Sequence, residues 1–368
     1  NQTLLSEITS LEEAIYFRAG EPFNIGSPKQ LGEILFERLG LPVIKKTKTG
    51  YSTNVDVLKK LEDKHPIIAD IMRYRTLTKL QSTYVKGLQE AARDGRIHTI
   101  YKQALTQTGR LSSIEPNLQN LPIRTEIGQQ LRKVFTSEPG HVLLASDYSQ
   151  IELRLLAHYS NDPTMSEAFK AGEDIHTITA QKVFGKPDIS SGERRMAKAV
   201  NFGIIYGQSS FGLSEELSIS KKEAEAFITR YYEDFGAIKK TLDDFVARAY
   251  ETGYAETLMR RRRTIKELSQ SNYMVRSFGE RTAMNAPLQG SAADIIKKAM
   301  VDLDRALKAQ GLKSQMILQI HDELVLSVPH AELEAVKSIV QSTMENVMAL
   351  SVPLTVNMAH GANLYEAK

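Results

Sequence analysis

Two acidic positions have the residue types and placement for metal-assisted chemistry. Asp147 follows the strand-like run Val142-Leu143-Leu144-Ala145-Ser146, and Asp322, with Glu323 beside it, follows the apolar run 316–320. A second run, 323–328, begins after only His321-Asp322, and that spacing predicts a two-residue hairpin. Carboxylates at strand ends are exposed, and two from different strands can meet on one sheet face. Such a pair can hold two hard cations about 3.5–4 Å apart for in-line displacement at phosphorus. An Asp at a hairpin tip is by itself explained by the turn it favours. The case for chemistry rests on the residues that accompany it.

Those lie in the segment Arg194-Arg195-Met196-Ala197-Lys198-Ala199-Val200-Asn201-Phe202-Gly203-Ile204-Ile205-Tyr206-Gly207. On a helix, Arg194, Lys198, Phe202 and Tyr206 recur at every fourth position and share one stripe. Two cations followed by two aromatics suit a ligand with a polyanionic end and a flat ring, such as a nucleoside triphosphate. The alternative is ordinary amphipathicity, with the cations snorkelling and the aromatics buried.

The elements that must position these groups form an α+β pattern. Residues 1–95 read as helical, beginning with an acidic amphipathic helix over 1–18. Ser27-Pro28 supplies an N-cap and a first-turn proline, and Gly40 closes that helix. A polar loop follows at 45–53, carrying Lys45, Lys46 and Lys48. A long amphipathic helix then sets Ile67, Ile71, Tyr74, Leu77, Leu80, Tyr84 and Leu88 on one face. Residues 97–101 and 142–146 read as strands. Helices dominate from 151 to about 250, one of them opened by a Ser220/Glu223 capping box. Helices over 292–307 and 332–349 and a strand over 354–358 complete the pattern. Sheet elements therefore flank a large helical insertion.

Composition narrows the classes. The chain has 368 residues, no cysteine and a net charge of +3. Disulfides and thiolate metal sites are excluded. No apolar run is long enough to cross a bilayer, and the first residues lack the pattern of a signal peptide. A charge this small is no argument for nucleic acid, so clusters matter more: the 45–48 lysines and the unbroken run Arg260-Arg261-Arg262-Arg263. That run reads either as phosphate contacts or as a solvated basic turn.

Three of these segments resemble the motifs of the family A DNA polymerases, the bacterial DNA polymerase I family. Asp147-Tyr148-Ser149-Gln150-Ile151-Glu152-Leu153-Arg154 is similar to motif A, residues 194–207 to motif B, and Gln319-Ile320-His321-Asp322-Glu323 to motif C. Further segments match in order: Thr108-Gly109-Arg110-Leu111-Ser112-Ser113, Pro116-Asn117-Leu118-Gln119-Asn120, Asp174-Ile175-His176 and Asn285-Ala286-Pro287-Leu288-Gln289-Gly290. The resemblance covers about 23–368, and three long motifs in the right order are highly specific.

The resemblance implies a right-hand architecture: thumb at 1–95, palm with an antiparallel sheet at 96–155 and 287–368, fingers at 156–286. It implies a Klenow-like polymerase-domain fragment without a 3′→5′ exonuclease. It implies two Mg2+ ions, replaceable by Mn2+, held by Asp147, Asp322 and the backbone carbonyl of Tyr148, with Glu323 in a lesser role. Arg194, Lys198 and His176 would hold the triphosphate, Lys198 also acting in catalysis. Phe202 and Tyr206 would frame the base pair, and Glu152 and Gln150 would lie at the nucleotide. Arg110, Asn285, Gln289, Arg281 and His321 would contact the primer–template, with Lys46 and Lys48 at the thumb tip. The implied partners are primer–template DNA and dNTPs, for a monomer of the bacterial cytoplasm and nucleoid engaged in replication and repair.

The sequence departs from the family at Leu364, where tryptophan is frequent, and at Thr264, where an aromatic is usual. Two rival readings are a single-subunit RNA polymerase and a catalytically dead nucleic-acid-binding module. Glu152 and Phe202 argue against the first, because they suit a pocket that excludes a 2′-hydroxyl. Intact Asp147, Asp322, Lys198 and Arg194 argue against the second.

Overall fold

A computed structural model describes residues 2–48, 50–122 and 126–368. Asn1, at the start of the expected first helix, and Thr49, in the 45–53 loop, lie outside the described residues. The chain forms two compact units, one of Asn1–Ile100 with Glu115–Leu131, the other of Tyr101–Ile114 with Arg132–Lys368.

The first unit is built of helices. Gln2–Ala19 is helical, as its amphipathic pattern predicts. Ser27 caps the next helix by accepting from the amide of Gln30, and Pro28 occupies the first turn. That helix continues through the π-turn Glu33–Arg38 and stops before Gly40, whose φ is 64°. The long helix is continuous from Ile67 to Ala91 through Ile67–Lys79, a π-helical stretch Leu80–Lys86, and Gly87–Ala91. Its apolar stripe closes a core with Ile15, Leu31, Leu35, Leu58 and Leu61, each at most 1% exposed.

Two expectations fail in this part of the chain. The 45–53 loop is a small hairpin in which Lys46–Thr47 pairs with Gly50–Tyr51. The strand expected over 97–101 is two separate pieces: Arg96–Ile97 pairs with Ala92–Arg93, and Ile100–Lys102 belongs to another two-stranded ladder with Ser112–Ile114. Asp94 and Gly95 both take positive φ, 51° and 73°. An Asp-Gly pair of this kind makes a tight hairpin, which fixes the first piece locally.

In the second unit a four-stranded antiparallel sheet carries the site. We number its strands β1 (His141–Tyr148), β2 (Gln315–Ile320), β3 (Glu323–Pro329) and β4 (Val356–Gly361). Their order is β2-β3-β1-β4. The expected hairpin is present, with Ile320 opposite Glu323 and His321 at a φ of 55°. β1 is nearly continuous in apolar residues because both its faces are covered, and Leu143, Leu144, Leu324 and Leu326 are at most 2% exposed. The last strand is shifted toward the C-terminus relative to the 354–358 expectation, and the preceding helix is Leu333–Glu345, ending before 349. Val347, Val352 and Leu354 are instead buried in the connecting segment, so their apolar character reflects core packing without regular structure.

The insertion between β1 and β2 is mainly helical, with one two-stranded ladder that pairs Tyr254–Glu256 with Arg262–Thr264. Four of its helices matter for the site: α1 (Ile151–Ser160), α2 (Ile175–Phe184), α3 (Ser191–Ile205) and α4 (Tyr273–Ala309). The Ser220/Glu223 capping box is present, and a second, Ser190 with Glu193, opens α3. The helix expected from residue 292 begins instead at Tyr273, capped by Asn272, and runs through Pro287. A proline inside a helix removes one hydrogen bond and crowds the preceding turn. Burial of Ala283, Ala286, Leu288 and Ala292 offsets that cost.

Candidate active site

The sheet register decides which acids meet. Asp147 is directly opposite Glu323 across the β1–β3 ladder. The amide of Tyr148 donates to the carbonyl of Asp322 at 3.1 Å, so the hairpin tip is pinned to the end of β1. Gln150 then turns the chain from strand into α1 with a left-handed φ of 52°. The turn is held from both sides. The Ser149 amide donates to Thr355 O at 2.9 Å, and Arg154 Nε donates to Ser149 O at 2.8 Å. Glu152 is thereby set in the first turn of α1, with its side chain 6% exposed.

Glu152 is the acceptor for two groups. Arg110 Nη2 donates to its Oε1 at 3.0 Å, and Tyr206 Oη donates to its Oε2 at 3.2 Å. The same Arg110 nitrogen is 3.8 Å from Asp322 Oδ1. That Arg110 joins both acidic groups is not visible in the sequence, where the three residues lie far apart.

A cavity of about 270 Å³ collects these side chains. Asp147, Asp322, Arg110 and Glu152 line it together with Tyr148 and Gln150. Arg194, Lys198, Phe202 and Tyr206 line it from α3, and His176 from α2. The helical stripe is therefore a cavity wall. Tyr206 is 43% exposed, so snorkelling cations above buried aromatics do not describe it.

Supporting contacts fix the cations and the imidazole. Arg194 Nε donates to Asp174 Oδ2 at 2.5 Å. Against the cost of burial, that arginine and Thr177 hold the Asp174 carboxyl at about 2. The amide nitrogen of Asn201 donates to Nδ1 of His176 at 3.0 Å, which leaves Nε2 as the protonated ring nitrogen. Burial, together with Lys198 and Arg194, outweighs Asp174 and lowers the His176 pKa to about 4. The imidazole is neutral at pH 7 and enters the cavity wall as a hydrogen-bond donor. Asn201 is fully buried in the middle of α3, and its role in orienting His176 is not visible in the sequence.

The acids repel one another. Asp147 is reached by solvent, yet the surrounding walls, then the Glu323 and Asp322 carboxylates, push its pKa up to about 6. Burial also raises Asp322 and Glu323. Glu323 is 7% exposed, does not line the cavity, and lies 3.8 Å from Lys368 Nζ. Its Oε1 is buried without a hydrogen-bond partner.

Other expected contact residues lie elsewhere in the molecule. Arg281, Asn285 and Gln289 share one stripe of α4 at four-residue spacing, outside the cavity lining. Arg281 donates to Ser277 Oγ at 3.0 Å, and Asn285 Nδ2 is buried without a partner. His321 is exposed at the hairpin tip. Lys46 and Lys48 belong to the small hairpin of the first unit, where Lys46 Nζ stands 5.5 Å over the Tyr51 ring. The arginine run lies at the surface, but two of its members carry ion pairs: Arg261 with Asp294 at 2.6 Å and Arg262 with Glu256 at 2.9 Å. Leu364 is fully buried and its carbonyl accepts from Arg132 at 2.9 Å, so the C-terminal segment packs without a tryptophan.

Comparison with known proteins agrees with this geometry. The family model for DNA polymerase family A matches residues 1–366. DNA polymerase I of Bacillus subtilis (strain 168) is 55% identical over 372 residues, covering 100% of this chain and 42% of the relative. DNA polymerase I of Geobacillus stearothermophilus is 51% identical over 370 residues, covering 99% of this chain and 42% of the relative. The chain thus spans 42% of the length of these curated relatives. Among solved structures, the POL domain of Pol1 from M. smegmatis, in complex with DNA primer-template and dNTP, superposes with a TM-score of 0.95 at 43% identity, covering 100% of this chain and 65% of that one. By sequence and by fold, this chain belongs to DNA polymerase family A.

Proposed function

We propose that this chain is the polymerising part of a template-directed DNA polymerase, joining deoxynucleoside monophosphates from dNTPs to a primer 3′ end, and we assign it no 3′→5′ exonuclease. The observation that carries the reading is the single cavity in which two carboxylates from neighbouring strands face a helix bearing Arg194, Lys198, Phe202 and Tyr206. The complex of the M. smegmatis relative with primer-template and dNTP supports it. On this reading residues 1–95 form the thumb, 96–155 and 287–368 the palm, and 156–286 the fingers. The protein would act as a monomer in the bacterial cytoplasm, at the nucleoid, in replication and repair.

The donor set fits divalent magnesium, with manganese as a substitute. Crowded carboxylates whose charged forms are disfavoured call for a cation. Among the described residues no three His, Asp or Glu side chains form a cage. Magnesium suits that arrangement, since it binds through one or two carboxylates and takes its remaining ligands from water and substrate phosphates. Asp147, Asp322 and the Tyr148 carbonyl would hold two ions, which when bound lower the pKa of the primer 3′-hydroxyl and neutralise the triphosphate.

The rest is positioning by this chain's residues. The 3′ oxygen attacks the α-phosphorus and pyrophosphate leaves, so negative charge builds on the phosphates. Lys198 and Arg194 oppose that charge from α3, and His176 donates from α2. Phe202 and Tyr206 frame the nucleotide. Glu152, held by Arg110 and Tyr206, occupies the space a 2′-hydroxyl would need. Arg281, Asn285, Gln289 and His321 would meet the primer–template near its end, and Lys46 and Lys48 its backbone phosphates.

Primer extension with Mg2+ and either dNTPs or rNTPs tests the reading. Templated extension with dNTPs is expected, with rNTPs used far less well. Equal use of rNTPs would make this an RNA polymerase, and no extension would make it a binding module.

A further inference from the structure

Arg261 belongs to a run that reads as phosphate contacts or a solvated turn, but its guanidinium, though partly exposed, is held by a buried acid. Nε donates to Asp294 Oδ1 at 2.7 Å and Nη2 lies 2.6 Å from the same oxygen. The Asp294 side chain is 4% exposed, and its Oδ2 accepts from the Thr257 hydroxyl at 2.7 Å. Thr257 and Arg261 also close their own turn, through Arg261 N to Thr257 Oγ1 at 3.1 Å and Thr257 N to Arg261 O at 3.0 Å. The buried carboxylate is therefore fully partnered.

The same guanidinium lies against Gly109. A Cβ there would fall 2.7 Å from Arg261 Nε and 3.0 Å from its Cδ, and Gly109 has a φ of +84°. Gly109 sits in a tight turn: its amide donates to Thr106 O at 3.3 Å, and the Thr106 hydroxyl donates to Arg110 O at 2.6 Å. Gly290 of α4 closes the other side, since a Cβ there would meet Thr257 Cγ2 at 2.6 Å and Thr108 O at 3.5 Å. Two more cations strap the segment, Lys297 to Gln103 O at 3.4 Å and Arg263 to Gln107 Oε1 at 3.3 Å. The next residue after Gly109 is Arg110, which reaches Glu152 and Asp322.

We infer that the Arg261–Asp294 pair is a positioning device for the polymerase reaction: it fixes the 106–110 turn, and so sets the Arg110 guanidinium between Glu152 and Asp322. The inference rests on reading the cavity as the polymerase site. Arg261 touches no group in that cavity and acts only through the turn. A guanidinium is needed because it must pack close against Gly109 while two of its nitrogens satisfy a buried acid; an ammonium could neutralise Asp294 without shaping the turn.

The test is a double-mutant cycle in single-turnover primer extension with Arg261→Ala, Arg110→Ala and the double variant. Arg261→Ala is expected to lower the maximal rate by about ten- to a hundredfold, the effect of an ångström-scale misplacement. The dNTP concentration for half-maximal rate should stay within about threefold, and the double variant within about twofold of Arg110→Ala, because the two residues act as a unit. Arg261→Lys keeps a charge on Asp294 and should restore the melting temperature without restoring the rate. If Arg261→Ala does not fold, Arg261→Lys and Gly109→Ala carry the same comparison. The salt dependence of duplex binding should be unchanged in Arg261→Lys and in Arg261→Ala.

Additive losses in the cycle would overturn the inference. So would a log–log salt slope reduced by about one in Arg261→Ala, which would make Arg261 a phosphate contact. Wild-type protein that extends no primer would instead overturn the polymerase reading itself.

Discussion

Glu152→Ala is the perturbation that best separates DNA synthesis from RNA synthesis at this site. The Glu152 side chain is 6% exposed and receives Arg110 at 3.0 Å and Tyr206 at 3.2 Å. Truncation empties the volume beyond Cβ and leaves two donors facing it. A ribose 2′-hydroxyl could then enter and accept from them, whereas a deoxyribose could not. Differences of a hydroxyl or methylene in a shaped pocket are worth about 1–3 kcal/mol. Incorporation of rNTP relative to dNTP should therefore rise at least about tenfold, or ~1.4 kcal/mol. The same truncation removes two hydrogen bonds whose donors are partly exposed, so a stability loss of about 1 kcal/mol accompanies it. The assay is kcat/KM for a matched dNTP and rNTP on one template, with melting curves on the same samples. Glu152→Gln keeps the shape and should stay near the wild-type ratio. A Glu152→Ala protein with a lowered melting temperature and an unchanged ratio would refute the sugar-gate argument and leave Glu152 as a residue that stabilises the first turn of α1.

Asp147→Ala or Asp322→Ala should abolish primer extension yet leave duplex binding nearly intact, because affinity rests on phosphate contacts elsewhere; a rate above about a hundredth of wild type in single-turnover extension would contradict the metal-ligand roles. Lys198→Ala should cost several kcal/mol, roughly 3–4, in the incorporation step, seen as a lower maximal rate and not merely weaker dNTP binding. His176 has its pKa lowered to about 4 from an ordinary value near 6.5, so the unfolded chain takes up a proton first as pH falls, and stability is lost below pH 6.5 until the folded form titrates near 4. Between pH 7 and pH 5 this amounts to about 2 kcal/mol. His176→Gln should remove that part of the loss in urea unfolding, and an identical pH dependence in variant and wild type would show that His176 is not its source.

The sequence made the ends of this site legible and hid its middle. Asp147 and Asp322 were found because strand and hairpin patterns are short-range, and a two-residue gap at His321-Asp322 allows few alternatives. The α3 stripe followed from helical periodicity alone. The Arg110 bridge to Glu152 and Asp322 was invisible, since those residues are far apart in the chain and meet only through the fold. The arginine run hid a different feature. Its four adjacent cations lie at the surface, yet Arg261 is also engaged by Asp294, a buried acid of α4 that nothing nearby in sequence announces. Strand ends differ where local chemistry rules: Asp94-Gly95 draws Arg96–Ile97 into a hairpin with Ala92–Arg93, which takes Ile97 out of the strand expected over 97–101. The start of α4 was misplaced because Pro287 argues against a helix that tertiary burial sustains.

The sheet order has a consequence for how such a chain comes into being. β1 is the first of the four strands to be synthesised, but it lies in the interior of the sheet, and both its neighbours, β3 and β4, come from the far end of the chain. About 170 residues must emerge from the ribosome between the end of β1 and the start of β3, which at roughly 5–20 residues per second takes about ten to thirty seconds. Through that interval a nearly unbroken apolar strand has two open edges, the arrangement most prone to wrong pairing. Closing a loop of that length is slow, because the entropy is lost before any contact forms. Asp147 and Asp322 therefore come together only when the β2–β3 hairpin closes on β1, a long-range step. On the proposed function, the two acids cannot act together before β3 is made, and any delay in translating the insertion lengthens the time in which β1 can mispair.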